Sequence, residues 1–271
     1  MNRSEEDKIF ENLDIDQAHK EANRLLKRDA IDPEKFRDIY GADVDKDISY
    51  VKEMEEKFKK ELTPEMEKVQ KIATIFEAII YENVEQSEWL GPAETFKTSR
   101  YDDIKNGVDT IAKFQEDETT TSYLALAIDV TFSSDTEKKF ARIKDEIMNG
   151  KMAEIKYLEK NKELPKIPRV IIGAETKTIK RLAELWMEKK ENWEKLGKHQ
   201  IQFQILEEIL LQLETFADFA RRHNKSEIAS IYEQRYALVK RIYDEKRITL
   251  NDNGERDNVF GDIERNLKMF I

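Results

Sequence analysis

The stretch that decides the fold is residues 108–131, VDTIAKFQEDETTTSYLALAIDVT. Residues 108–114 alternate between two faces, one carrying Val, Thr, Ala and Phe and the other Asp, Ile and Lys, as expected for a strand. Residues 123–131 are apolar on both faces, which is typical of a central strand. A polar run, 115–122, connects them. The stretch therefore predicts two consecutive strands within a chain whose flanks are helical.

Helices are predicted on both sides of these strands. Thr63 is a good N-cap and Pro64 suits the first helical position, and apolar residues then recur at helical spacing to about Ser87. Ser134 and Glu137 form a capping box that begins a second helix. Both helices are expected to pack against the sheet.

A third strand is predicted at residues 167–173, a short segment rich in β-branched residues that is followed by another helical pattern. Residues 152–158 are interpreted as an edge strand. The strands at 108–114, 123–131 and 167–173 are expected to form one mixed sheet.

The last third of the chain is predicted to be helical. Residues 201–222 and 226–246 keep helical periodicity and are expected to form an antiparallel hairpin. The predicted organisation is a charged helical extension (1–62), an α/β core (63–190), and a helical hairpin with a terminal helix packed on the core (191–271). The fold class is α+β: a small mixed β-sheet flanked by helices.

Composition excludes several classes of function. The chain has 271 residues, of which 38% are charged and 39% hydrophobic, with 8 Gly, 5 Pro, no Cys and a net charge of -10. The lack of Cys excludes disulfides, thiolate metal sites and cysteine nucleophiles, and it fits a reducing cytoplasm. No stretch approaches the roughly 18 apolar residues of a membrane helix. We therefore expect a cytoplasmic protein without a membrane partner, and the net charge disfavours indiscriminate binding of nucleic acid.

Two predicted strands carry acidic motifs. Residues 107–111 read Gly-Val-Asp-Thr-Ile and residues 127–131 read Ala-Ile-Asp-Val-Thr. With the helix before them, residues 64–175 resemble the restriction-endonuclease-like PD-(D/E)XK superfamily, in which the first helix often supplies a Glu, the second strand an Asp and the third strand an acid-x-Lys motif. The whole chain also resembles an uncharacterised protein family of candidate-phyla-radiation bacteria, which implies no particular activity.

The resemblance implies a metal-dependent nuclease or a nuclease-like protein that processes DNA or RNA. Asp109 and Asp129 would be the catalytic acids that bind Mg²⁺ or Mn²⁺, and Glu77 or Glu82 would supply the acid of the helix. Carboxylate oxygens are the hard ligands that Mg²⁺ prefers. A bound ion would polarise a phosphoryl oxygen and lower the pKa of the attacking water.

The chain departs from the superfamily at its lysine. Thr131 stands where the third-strand motif has Lys. Some members carry this Lys on the next helix, where Lys138 and Lys139 are found here, and these two residues are the candidates to assist the water. Lys113, on the strand that follows Asp109, is a second substitute.

The residues by themselves also allow a structural interpretation. Two aspartates with apolar neighbours are common in β-hairpins, and Thr131 fits a core that has kept the fold and lost the chemistry. In this alternative the protein is a non-catalytic interaction scaffold on a degenerate nuclease-like core. Its C-terminal helical hairpin would then bind another protein or a second copy of the chain.

The remaining polar motifs have weaker interpretations. Asp102 and Asp103 either extend the acidic cluster or form a turn with local hydrogen bonds, and the turn is favoured. A histidine site is disfavoured because the three His residues lie far apart, and no glycine-rich phosphate loop is present. A basic patch on the helix after residue 173 is interpreted as a solvated face; it comprises Lys177, Lys180 and Arg181.

Overall fold

The computed structural model describes residues 13–115, 121–129, 134–158 and 167–271, without the side chains of residues 125–129, 134–135 and 189–191. The strands are β1 (Ala93–Lys97), β2 (Thr110–Gln115), β3 (Thr121–Asp129) and β4 (Arg169–Gly173). The helices are α1 (Ile15–Asp29), α2 (Arg37–Tyr40), α3 (Asp43–Glu61), α4 (Pro64–Gln86), α5 (Ser134–Met148), α6 (Thr176–Met187), α7 (Lys189–Gly197), α8 (Ile201–Arg222), α9 (Ser226–Thr249) and α10 (Asn258–Leu267). Short 3₁₀ turns span Pro33–Phe36 and Lys268–Phe270, and a π-helical turn spans Asp102–Asn106.

The four strands form one sheet in the order β1-β2-β3-β4. β1 and β3 both run antiparallel to β2, whereas β4 runs parallel to β3. A parallel neighbour requires a crossover connection, and α5 lies within that connection. The prediction of an α+β chain with a small mixed sheet is confirmed, and β1 adds a strand that the sequence pattern had not identified.

The predicted edge strand at residues 152–158 is wrong. Among the described residues, a single bridge between Ala153 and Ile167 is the only strand-like pairing of this segment. The backbone N–H groups of Lys156 and Tyr157 donate instead to the carboxylate of Asp102, at 2.8 and 3.1 Å. A side chain therefore takes the hydrogen bonds that a neighbouring strand would need.

Helix α4 is the structural support of one sheet face. It begins as predicted, with the Thr63 hydroxyl accepting from the Met66 N–H at 3.2 Å and Pro64 in the first turn. α1 packs against α4, and its buried apolar residues join the main core. The buried apolar residues of α1 are Ala18, Ala22, Leu25 and Leu26.

The C-terminal hairpin of α8 and α9 is confirmed, and α8 also closes the free edge of β4. Gln212 both donates to the Ile171 carbonyl and accepts from the Ile171 N–H, at 2.6 and 2.7 Å. One turn earlier on α8, Glu208 accepts from the Gly173 N–H at 3.0 Å. Side chains of a helix thus supply the hydrogen bonds of a fifth strand. Although α8 is largely buried, neither it nor any other helix within the described ranges is long and apolar enough to span a membrane.

Candidate functional site

Three carboxyl groups and one lysine meet where β1 ends and β2 begins, and we call them the acid–lysine cluster. Glu77 comes from α4, Lys97 is the last residue of β1, Asp103 lies in the π-helical turn and Asp109 immediately precedes β2. The pairing of Lys97 with Thr110 fixes the ends of the two strands side by side. The sheet register therefore brings the lysine next to Asp109.

Lys97 is the centre of the cluster. Its Nζ lies 2.9 Å from Glu77 Oε1 and 3.7 Å from Asp103 Oδ2, and it donates to the Asp109 carbonyl at 2.9 Å. The side chain is only 8% exposed. Burial opposes the charged form, but the carboxylates of Glu77, Asp103 and Asp109 outweigh it and hold the pKa of Lys97 above its ordinary value. Lys97 is therefore a buried cation at neutral pH.

Glu77 is placed to exchange a proton near neutral pH. Burial raises the pKa of its carboxyl to about 7, because the opposing attraction of Lys97 is countered by repulsion from Asp109 and Asp103. Within the described part of the chain, Oε1 accepts no hydrogen bond, since Lys97 approaches it as an ion pair outside hydrogen-bonding geometry. Oε1 is thus buried beside the ammonium of Lys97, 2.9 Å away.

Asp103 is held in its charged form. Burial opposes its ionisation, yet Lys97 and Arg100 hold the pKa of the Asp103 carboxyl below its ordinary value, and Asp109 adds a side-chain hydrogen bond. Arg100 Nη1 lies 2.6 Å from Asp103 Oδ2, and its Nε lies 2.8 Å from Glu55 of α3. Asp103 is therefore an ionised acid between the two cations Lys97 and Arg100.

The π-helical turn decides which acid enters the cluster. Asp102 is fully buried, and its carboxylate accepts from Ser99, from Asn106 and from the backbone of residues 156–157. Asp102 lies in a turn, as predicted, but its carboxylate binds the backbone of residues 156–157 and not, as predicted, the backbone of its own turn; it anchors the turn to that distant segment. The next residue, Asp103, extends the acidic cluster, which was the alternative interpretation. Single π-helical turns are frequent at functional sites.

A cleft of about 540 Å³ opens onto the cluster. Its walls come from α1, α3, α4 and the segment after β1. The side chains that line it include Glu77, Lys97 and Asp103 of the cluster and His19, Glu55 and Lys71 around it. A ligand in this cleft would lie beside the ion pair of Glu77 and Lys97.

The structure separates the two acids predicted on α4. Glu77 is in the cluster, whereas Glu82 accepts from Trp186 Nε1 of α6 at 2.6 Å. Asp109, which was predicted to bind a metal with Asp129, is also in the cluster. Lys113 lies outside it, because its Nζ pairs with Glu94 of β1 at 3.2 Å.

The other predicted site residues lie after the cluster in the chain. The backbone of Asp129 ends β3 and is paired with Gly173 of β4, and its side chain lies outside the described residues, as does all of Thr131. Lys138 is exposed and Lys139 half-buried in the first turns of α5. The convergence of Asp109 with Asp129 therefore stays a prediction.

Lys97 is the functional candidate that the sequence analysis missed. It stands in the segment Ala-Glu-Thr-Phe-Lys, whose alternate residues Ala93, Thr95 and Lys97 are buried. This period of two was a signal for a strand, and it placed the lysine on the buried face. The polar character of the segment concealed the strand.

The cluster has donors of the right kind for Mg²⁺, but their arrangement does not form a site for the ion. Carboxylate oxygens suit the ion. Among the side chains that the structure describes, however, no group of three His, Asp or Glu residues is arranged to hold a metal. Lys97 instead occupies the cationic position between the acids, so these residues alone do not form a metal site.

No model of a known protein family, no curated protein and no solved structure matches the chain.

Proposed function

We propose that this protein is a nuclease-like nucleic-acid-processing protein, a metal-dependent phosphodiesterase acting on DNA or RNA. The observation that carries the proposal is the convergence of Glu77, from the helix before the sheet, with Asp109, at the start of the second strand, and with a lysine. The order α4, β1, β2, β3, α5, β4 supports it, because it follows the helix and strand order of the restriction-endonuclease-like resemblance.

Lys97 takes the role of the lysine that Thr131 replaces. A buried ammonium beside carboxylates can orient a water and stabilise negative charge that develops on a phosphoryl group. Lys97 Nζ has this position, 2.9 Å from Glu77 Oε1 and on the wall of the cleft. Lys138 and Lys139 are the alternatives for this role, and substitution of each lysine in turn distinguishes them from Lys97.

Glu77 is the described carboxyl best suited to act as a general base. Its pKa of about 7 lets it accept and release a proton at neutral pH. Mg²⁺ or Mn²⁺ would need the carboxylate of Asp129 in addition to those of Glu77 and Asp109. The requirement for a metal ion is therefore tested by supplying it or removing it with a chelator, and not by a substitution of Glu77.

The experiment is cleavage of labelled single- and double-stranded DNA and RNA with Mg²⁺, with Mn²⁺ and with a chelator. We expect cleavage that needs the metal and is lost in Asp109→Asn, Asp129→Asn and Lys97→Gln. Lys113→Gln is the matched control, because Lys113 follows Asp109 in β2 but pairs with Glu94 outside the cluster. Retained activity in Lys97→Gln with loss in Lys138→Ala or Lys139→Ala would transfer the lysine role to α5. Absence of cleavage of all four substrates would overturn the proposal.

A non-catalytic scaffold is the second candidate. It is favoured because the two cations at the cluster, Lys97 and Arg100, are both paired with acids. Lys97 pairs with Glu77, and Arg100 pairs with both Asp103 and Glu55. These pairs connect α3, α4 and β1, as a purely structural cluster would. The same variants would then change the free energy of unfolding without any cleavage to lose. Binding of a second copy through the α8–α9 hairpin would appear as a dimer in light scattering.

A further inference from the structure

A second cleft, of about 780 Å³, lies beside the carboxyl end of β4. It shares no described lining residue with the cleft at the acid–lysine cluster. Five chain segments meet there: the turn after β4, α6, the end of α7, the start of α8 and the residues before α10. The polar and charged side chains that line it include Thr178, Arg181, Lys195, His199, Glu175 and Asp257.

His199 presents a neutral donor to this cleft. Burial, together with nearby Arg181, lowers the pKa of the imidazole to about 4, so the ring is uncharged at pH 7. Its Nδ1 accepts from the Ile201 N–H at 3.1 Å, which places the ring proton on Nε2. Among the described residues, Nε2–H has no acceptor. The ring lines the cleft, so this N–H is a donor that a ligand there can use.

Two of the acids in the cleft are used by the fold. Asp257 Oδ2 accepts from the Glu175 N–H at 2.8 Å, and its Oδ1 accepts from the Val259 N–H at 3.0 Å. Glu175 accepts in turn from the Asn258 side chain at 2.9 Å. The carboxylates of Asp257 and Glu175 therefore accept hydrogen bonds from groups at the starts of α6 and α10.

Two of the outer charges of the cleft have neutral partners among the described residues: Glu255, which accepts from the Asn253 side chain at 2.9 Å, and Lys195. Glu194 pairs with Lys198 at 2.5 Å, and Arg256 pairs with acids outside the cleft. Lys195 differs, because its Nζ donates to the neutral Asn192 side chain at 2.8 Å and has no acidic partner among the described residues. The cleft therefore retains an unneutralised ammonium as well as the unused donor of His199.

We propose that this cleft binds a phosphomonoester, with His199 Nε2–H and Lys195 Nζ as donors and the Thr178 hydroxyl and Arg181 beside them. A phosphate group accepts several hydrogen bonds and prefers cationic donors, which these residues supply. Arg181 belongs to the basic patch that the sequence analysis interpreted as a solvated face. Free phosphate, a nucleotide and the 5′-phosphate end of a nucleic acid carry the same group.

The test is calorimetric titration of the full chain, at constant ionic strength, with inorganic phosphate, adenosine 5′-monophosphate, adenosine, and an oligonucleotide with a 5′-phosphate or a 5′-hydroxyl. We expect phosphate and the monophosphate to bind and adenosine not to bind. If the oligonucleotide with a 5′-phosphate binds and the one with a 5′-hydroxyl does not, the site accepts the phosphorylated end of a nucleic acid. If neither oligonucleotide binds, the site is restricted to small phosphates. No binding of phosphate and monophosphate up to about 10 mM would overturn the proposal.

Two substitutions of His199 separate binding from folding. His199→Asn keeps an acceptor near the position of Nδ1 and removes the Nε2 donor, so it should retain the melting temperature and weaken binding about tenfold. His199→Gln keeps a donor near Nε2 and loses the Nδ1 acceptor, so it should bind better than His199→Asn while being less stable. Lys195→Gln, at an exposed position, should also weaken binding, whereas Lys240→Gln on α9 should not. Wild-type affinity in both His199→Asn and Lys195→Gln would refute the site.

Discussion

Lys97 Nζ lies 2.9 Å from Glu77 Oε1, so the last residue of β1 neutralises a buried acid of α4. The two residues come from elements that pack on each other only in the folded chain. This contact connects the helix that supports the sheet to the strand end at the candidate site.

Lys97→Met should destabilise the protein by about 3–5 kcal/mol, the typical cost of breaking a buried pair by removing one partner. The reason is that Glu77, Asp103 and Asp109 would remain buried without their central cation. Urea unfolding at pH 7 measures the change. Adding Glu77→Gln should restore part of the loss, because the unpaired carboxylate is removed. Strictly additive effects of the two substitutions would contradict the pairing.

Glu77 should make the free energy of unfolding fall as the pH rises from about 4.5 to 7, whereas His199, whose pKa is lowered to about 4, acts in the opposite direction over much of this range. The folded-state pKa of Glu77 is raised to about 7 from an ordinary 4.5, so this carboxyl is more protonated in the folded chain than in the unfolded chain over this range. Its contribution is complete below pH 4.5 and disappears as the pH passes 7. The slope from one such group is at most about 1.4 kcal/mol per pH unit. The urea midpoint of Glu77→Gln relative to that of wild type should therefore rise across this range, and parallel curves would contradict the assignment.

Asp102→Asn should be more destabilising than Asp103→Asn, by about 1–3 kcal/mol. The Asp102 carboxylate accepts four hydrogen bonds, two of them from the backbone of residues 156–157, and an amide has only one oxygen to accept them. Asp103 has ion-pair partners and a neighbouring carboxyl instead. Thermal unfolding of the two variants under identical conditions gives the comparison. Equal decreases in the melting temperature of the two variants would contradict the role of Asp102 as the residue that anchors the turn.

Gln212→Leu should cost about 2 kcal/mol or more, because the N–H and the carbonyl of Ile171 would both lose their buried partner. Amide hydrogen exchange of Ile171 should accelerate in the same variant. Glu214→Gln, an exposed change on the same helix, is the control and should lie within about 0.5 kcal/mol of wild type. Unchanged exchange at Ile171 would show that α8 does not close the sheet edge.

The sequence by itself determined the local structure. The start of α4 follows from Thr63 and Pro64, because a cap and a preset backbone angle act within one turn. The strands around residues 110–129 follow from the alternation and the apolar run, and the α8–α9 hairpin follows from helical periodicity. Each of these signals lies within a few residues of the element that it predicts.

The site was only partly accessible from sequence. Glu77 and Asp109 were predicted from a resemblance, whereas Lys97 and Asp103 enter the cluster because β1 pairs with β2 and the π-helical turn points its second acid inward. In a chain rich in charged residues, the sequence around a lysine does not show whether its side chain will be buried or exposed. Its pairing energy depends on which carboxylates the fold brings within a few ångströms.

Tertiary structure also decided how backbone groups are satisfied. Asp102 binds the N–H groups of residues 156–157, so that segment is not a strand, and Gln212 binds Ile171, so β4 needs no further neighbour. Periodicity reports where apolar side chains are buried, and it carries no information about which polar group will meet a given N–H. That choice is made by packing, since a buried backbone group must find a partner among whatever the fold places beside it.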